Sequence, residues 1–252
     1  EIGLARRAAA VSTKEAQARI LLSVNSLAKR YGDQVALADV AFAVRAGEII
    51  GIIGPNGAGK TTLLAGLAGI IPMDSGKLHW CGKPLPPWRR REAIFYLPDG
   101  VRPYQDQSVD RVLSFFANVY RRSTNEIVYT IESVGLKPVL RKRVQSLSKG
   151  YHRRLMLALG LLTPHPMLVM DEPFDGFDLR QAREIARVLR REVATGRTLA
   201  LAIHQLTDAE RVCDRFILLA DGFIRGAGTL NSLRMQTGLA DGSLEDIFLA
   251  LT

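Results

Sequence analysis

Four short runs of uninterrupted apolar residues mark the chain: "EIIGII" at 48–53, "MLVM" at 167–170, "TLALAI" at 198–203 and "RFILLA" at 215–220. None alternates with polar positions, so each predicts a strand buried on both faces, as in a parallel sheet. After the first run, Leu64, Leu67, Ala68 and Ile71 recur at helical spacing; after the second, Ile185, Ala186, Leu189 and Val193 do the same. After the third, Leu206, Ala209, Val212 and Cys213 share one helical face, which makes Cys213 a core residue rather than a reactive thiol. Strand then helix, repeated, predicts an α/β fold with a mainly parallel sheet covered by helices.

Two regions break that rhythm. Residues 21–47 and 76–85 are β-rich and punctuated by glycine without intervening helices, predicting an antiparallel flank. Residues 107–163 read as almost wholly helical and predict a separate lobe, with Tyr104, Phe115, Phe116 and Tyr120 as its aromatic core. "WRRRE" at 88–92 predicts the start of a solvated helix. The expected organisation is an N-terminal extension (1–20), a first part of the core with its antiparallel flank (21–98), a helical subdomain (99–163), a second part of the core (164–228) and a helical tail (229–252).

Composition changes this picture little. At 252 residues, 47% hydrophobic and 23% charged, the chain matches an ordinary globular protein. No apolar run approaches the roughly 18 residues of a membrane span. Residues 1–20 carry Arg6, Arg7, Lys14 and Arg19 and lack the apolar stretch of a secretory signal. A first residue of Glu1 is expected from processing or an edited start. Two cysteines, Cys81 and Cys213, make no disulfide framework, in keeping with a reducing cytoplasm. His79 and Cys81 share a strand face, but two ligands do not build a zinc site. The net charge of +9 permits attraction to anionic lipid or nucleic acid, yet arginines spread along the whole chain read as a solvated surface, and no specific nucleic-acid partner is expected.

Chemistry enters at "GPNGAGKTT", 54–62, which follows the first apolar run and opens the first helix. Gly54, Gly59, Lys60 and Thr61 fit G-x-x-x-x-G-K-[ST] in the strand-to-helix setting that gives the pattern meaning. The loop Gly54, Pro55, Asn56, Gly57, Ala58, Gly59 curls so that its N–H groups face inward and cradle phosphates, backed by the positive end of the helix. Lys60 then reaches the β and γ phosphates, Thr61 offers its hydroxyl to magnesium, and Thr62 continues the cradle. "MLVMDEP" supplies the complement: Asp171, ending a buried strand, is placed to hold the magnesium shell, and Glu172 to activate the attacking water. The chain has no N-K-x-D guanine motif, which argues against GTP.

Further stretches resemble the ATP-binding cassette (ABC) family, in particular the single-domain ATPase subunits of drug, polysaccharide and lipid exporters. "LSKGYHRRLMLALGLL" is similar to the signature motif and its helix through Leu147, Ser148 and Gly150, with Lys149 in place of a glycine and Tyr151 in place of a glutamine. "LAKRYGDQVALADVAFAV" resembles the opening strands and puts Tyr31 where the family stacks an aromatic ring on adenine. "DEPFDGFDL" carries Asp178 in the loop after the catalytic carboxylate, and "LAIHQLTDAERVCDRFILLADG" places His204 as the switch histidine. "SLEDIFLALT" is similar to the tail of exporter-type members. The resemblance spans about residues 21–252. One departure stands out: "FYLPDG" has Asp99 where the family usually has glutamine, a fixed anion expected near the magnesium, the phosphates and Glu172.

What the resemblance implies is a P-loop ATPase core with an antiparallel β flank and an inserted helical subdomain. ATP and Mg2+ are the implied cofactors: Lys60, Glu172 and His204 catalytic, Thr61, Asp171 and Asp99 near the metal. Two copies, most simply a homodimer, are expected head to tail, each ATP lying between Lys60 of one and Ser148 with Gly150 of the other. The implied partner is a separate transmembrane permease at the cytoplasmic face of the membrane, driven for export. Other readings stay open. Tyr31 packs equally well over the antiparallel flank, His204 can cap the helix near Leu206, and Ser148 suits an N-cap of its helix, a role compatible with facing a phosphate. A soluble ABC-type ATPase switch, uninvolved in transport, is the rival function.

Overall fold

The computed structural model describes residues 19–252, so the extension expected over 1–20 lies almost entirely outside the described residues. Two sheets share the work. Strands β1 (Ile20–Tyr31), β2 (Gln34–Arg45), β4 (Ser75–Trp80) and β5 (Lys83–Pro84) form a four-stranded antiparallel sheet in the order β2-β1-β4-β5. Strands β3 (Ile49–Ile53), β6 (Ile94–Leu97), β7 (Met167–Asp171), β8 (Thr198–Ile203), β9 (Arg215–Ala220) and β10 (Phe223–Gly228) form a six-stranded sheet in the order β10-β9-β3-β8-β7-β6. Only β10 is antiparallel in the second sheet, joined to β9 by a tight turn.

The four apolar runs become β3, β7, β8 and β9, and the reason they do not alternate is visible in the packing. Ile49 and Ile53 of β3 face one core cluster, whereas Ile50 and Ile52 face another. Each pleat side therefore needs its own apolar residue. One cluster joins the six-stranded sheet to the antiparallel sheet through Leu22, Leu37, Leu63, Leu67 and Ile217; the other backs the sheet with the helices of the lobe and the C-terminal half.

Helix α1 (Lys60–Ala68) lies between the sheets, framed by Gly59 and Gly69, both left-handed, and seven of its nine residues are buried. From Leu63 onward it is apolar on every side rather than striped, and Ile71 falls beyond its end. Next comes α2 (Pro87–Ala93), then the lobe: α3 (Val109–Val119), α4 (Thr124–Val134) and α5 (Lys149–Leu161), with two short 3-10 turns between the last two. The second core part adds α6 (Leu179–Ala194) and α7 (Leu206–Val212); α8 (Leu230–Thr237) and α9 (Leu244–Leu251) follow. Cys213 is buried with its Sγ against Gly51 of β3, where a Cβ would come within 2.8 Å of it, and burial pushes its thiol pKa up. It is a packing residue.

Two expectations are corrected. Tyr104 and Phe115 do not sit in the lobe core: they are 49% and 51% exposed and meet edge to face at 5.6 Å. α3 turns Val112 and Leu113 inward instead, so the apolar stripe excludes Phe115, and only Phe116 packs against the core. The "WRRRE" helix is solvated on one side only. Arg90 is 3% exposed and its Nη1 donates to the Gly66 carbonyl at 2.6 Å, satisfying an acceptor near the end of α1.

Candidate functional site

The site lies beyond the C-terminal ends of β3, β7 and β8, where loops leave a rigid parallel sheet. Residues 54–59 bend tightly between β3 and α1. Gly57 and Gly59 have φ of +85° and +102°, a conformation that side chains resist. A Cβ on Gly59 would fall 2.3 Å from the Ala36 carbonyl, and one on Gly54 would fall 2.1 Å from the Leu219 carbonyl. The loop is thus clamped between β2 and the end of β9. The turn after β9 adds two bonds, Ala38 N–H to the Gly222 carbonyl at 2.8 Å and Gly222 N–H to the Ala58 carbonyl at 3.2 Å.

Lys60 is 7% exposed and its Nζ donates to the carbonyls of Gly54 at 2.7 Å and Pro55 at 3.1 Å. The ammonium is therefore folded over the mouth of its own loop. Thr61 Oγ1 donates to Asp171 Oδ2 at 2.7 Å, across the end of β8. Tyr96 Oη approaches the same oxygen at 3.5 Å, and burial, reinforced by Asp171 and Asp99, pushes the Tyr96 pKa up, so it stays a neutral donor. Glu172 has φ of +50°, which turns it out of the strand. Its Oε2 lies 2.6 Å from His204 Nδ1 and accepts from the His204 backbone N–H at 3.3 Å. His204 thus pairs with Glu172, and the N-cap of α7 is Gln205.

These groups surround a cavity of about 510 Å³, lined by Asn56, Gly57, Gly59, Lys60, Thr61, Thr62, Asp171 and Glu172, together with Tyr31 and Asp99. Gly54, Pro55 and Ala58 form the loop behind it. Tyr31 is half exposed, its ring 5.3 Å from Lys29 Nζ. The Asp99 carboxylate is engaged elsewhere: it pairs with Arg153 Nη2 at 2.5 Å. Ser148 caps α5 by accepting from Tyr151 N–H at 3.4 Å, and Ser148 and Gly150 line a different cavity with Arg154 and Gln181. Asp178 caps α6 reciprocally with Gln181. Gln34, Tyr96 and Pro98 also line the main cavity, and the sequence pattern does not point to them. Tyr96 sits on β6, whose four residues are too few to show a period; Gln34 is signalled only by standing across a tight turn from Tyr31.

Comparison with known proteins gives the arrangement its family. The ABC transporter family profile matches residues 37–175, more than half of the chain and the whole stretch from the flank to the loop after Asp171. The chain belongs to the ABC transporter ATP-binding family. It is 35% identical over 208 residues to a Nod factor export ATP-binding protein I of Ralstonia nicotianae, which covers 80% of this chain and 65%, just under two thirds, of that relative's length. It is 30% identical over 238 residues to the ABC-type transporter ATP-binding protein EcsA of Bacillus subtilis, covering 92% of this chain and 96% of that one. A solved ATP-binding subunit of an ABC transporter superposes with a TM-score of 0.82 at 31% identity, covering 92% of this chain and 99% of that one. The ABC protein described here therefore binds and hydrolyses ATP. Among its described residues no helix is long and apolar enough to cross a membrane.

Proposed function

We propose that this ABC ATPase works as a pair of identical copies, head to tail, closing around two ATP and driving a separate membrane-embedded permease from its cytoplasmic face, in the direction of export. The observation that carries the reading is the separation of two half-sites. Lys60 and Asp171 line one cavity and Ser148 with Gly150 another, on the N-terminus of a 13-residue helix in the lobe. A helix N-terminus suits a phosphate, and one from the facing copy is the natural occupant. Export follows from the kinship with a protein named for Nod factor export.

In each site, the loop N–H groups and Lys60 bind the phosphates, Tyr31 stacks on the base, Glu172 takes the proton of the attacking water, and His204 holds Glu172 in place. Magnesium fits the donors present. Thr61 and Asp171 bring a hydroxyl and one carboxylate oxygen within 2.7 Å of each other. No group of three or more His, Cys, Asp or Glu that could hold a metal occurs among the described residues. The Thr61 hydroxyl and Asp171 carboxylate suit Mg2+, which takes one or two protein oxygens and completes its shell with phosphates and water. When bound, it neutralises phosphate charge.

A mixing experiment tests the dimer. Lys60→Ala and Ser148→Arg are each expected to abolish phosphate release alone, whereas an equimolar mixture, which contains hybrids with one intact site, recovers part of it. No recovery on mixing, with both proteins folded, would rule out shared sites.

A further inference from the structure

Four carboxylates, Asp99, Asp171, Glu172 and Asp175, lie on the segments that follow β6 and end β7. The ATP reading occupies Asp171 and Glu172. One guanidinium binds the other two. Arg153 of α5 has a side chain only 10% exposed, and its Nη2 lies 2.5 Å from Asp99 Oδ1 and 3.4 Å from Asp175 Oδ2. Its remaining nitrogens turn to the main chain: Nε donates to the Asp175 carbonyl at 3.3 Å and Nη1 to the Asp171 carbonyl at 3.5 Å. Lys149 Nζ closes the far end, 2.7 Å from Asp175 Oδ2. Charges therefore alternate from the first turn of α5 to the rim of the phosphate cleft: Lys149, Asp175, Arg153, Asp99.

Asp99 stands in the wall between two cavities. It borders the phosphate cleft, and it borders a smaller cavity of about 180 Å³ lined by Arg102, His152, Arg153 and Met156. Asp99 therefore presents its carboxylate to the wall of both cavities at once. Arg153 offsets the charge of the carboxylate there. Unpaired, the carboxylate would add a fixed anion to the cleft beside Asp171, where a polyanionic triphosphate must settle.

We propose that Arg153 is a positioning residue of the ATP site that acts through Asp99: its ion pair offsets the Asp99 carboxylate in the wall of the phosphate cleft, so that a triphosphate meets no unpaired anion beside Asp171. This rests on the reading of the cleft as the ATP site and deepens it. It also gives the aspartate in "FYLPDG" a partner. The unusual anion is tolerated because a largely covered cation on the neighbouring helix neutralises it, and a guanidinium with a fork of donors is suited to two carboxylates at once.

The test is ATP binding without magnesium, followed with a fluorescent ATP analogue in EDTA, for the wild type, Arg153→Gln, Asp99→Gln and the double variant. Arg153→Gln is expected to weaken binding by about fivefold, the effect of one extra unit charge at a partly solvated site. Added salt should shrink the loss. The double variant is expected within about twofold of wild type, because the freed charge is gone. A purely structural role would leave the double variant as weak as Arg153→Gln, and that result overturns the proposal. So does wild-type affinity in Arg153→Gln. Should Arg153→Gln fail to fold, Arg153→Lys carries the test: it keeps the charge and is expected to bind within about twofold of wild type, and a fivefold loss there overturns the proposal. Lys60→Ala serves as the separate control, since undiminished ATP binding in that variant would defeat the reading of the cleft itself.

Discussion

Glu172→Gln separates chemistry from architecture. The substitution preserves shape and removes the capacity to accept a proton. In the structure Glu172 Oε2 is held by two donors, the His204 backbone N–H at 3.3 Å and Nδ1 at 2.6 Å, and the amide oxygen of glutamine can take the same position. The His204 side chain is 45% exposed, so weakening its contact with residue 172 is solvent-screened and costs folding at most about 1 kcal/mol. For a chain of this size that is a fall in Tm of roughly 2–4 °C. Losing a general base costs about 10²–10⁴ in rate. At 1.36 kcal/mol per tenfold, this corresponds to roughly 2.7–5.5 kcal/mol of transition-state stabilisation. The two magnitudes do not overlap. Steady-state phosphate release should drop by at least about a hundredfold while ATP affinity and the melting curve stay nearly unchanged. A variant retaining more than about a tenth of wild-type turnover would refute the assignment of Glu172 as base, and a melting point lower by 10 °C or more would show that the carboxylate is structural.

Arg197→Met probes the end of the helix that carries Ser148. The Arg197 side chain is 13% exposed and donates to the carbonyls of Leu161 at 3.1 Å and His165 at 3.2 Å, to the Thr163 carbonyl, and to Glu192 at 3.1 Å. Removing a partly buried guanidinium that holds several carbonyls and a carboxylate should cost about 2–3 kcal/mol, a Tm roughly 5–10 °C lower by calorimetry, and a shift under about 2 °C contradicts it. Stability should also depend on pH through His152 and His165. Burial, the leading cause in both, holds their pKa below the ordinary 6.5, so as pH falls the unfolded chain takes up protons first. Their contribution is complete above pH 6.5 and is lost as pH falls through 6.5 towards the lower folded values. The urea midpoint is expected to drop between pH 7.5 and 5.5, with a smaller drop in His165→Phe; equal drops would place the titration elsewhere.

The framework was legible because it repeats a local pattern. Apolar runs buried on both faces announce β3, β7, β8 and β9, and the glycine-lysine loop announces what their ends hold. β6 and β10 were not legible: the first has four residues, and the second, "FIRGAG", is broken by two glycines with one face open. The sorting of carboxylates was out of reach for another reason. Asp99 and Arg153 are 54 residues apart, and nothing in either local pattern points to the other. A side-chain pair across elements becomes visible only once both backbones are placed. Likewise the burial of Arg90 depends on an acceptor at Gly66 in a different helix, so its own charged surroundings gave the opposite impression.

The helix behind the phosphate loop is wrapped on almost every side by two sheets and pinned by glycines at both ends. Such a part has nowhere to recoil. A load applied at its phosphate end passes into both sheets at once, through the core that Leu63, Leu64 and Leu67 share with them, so this helix is the anvil of the cleft and not a moving part.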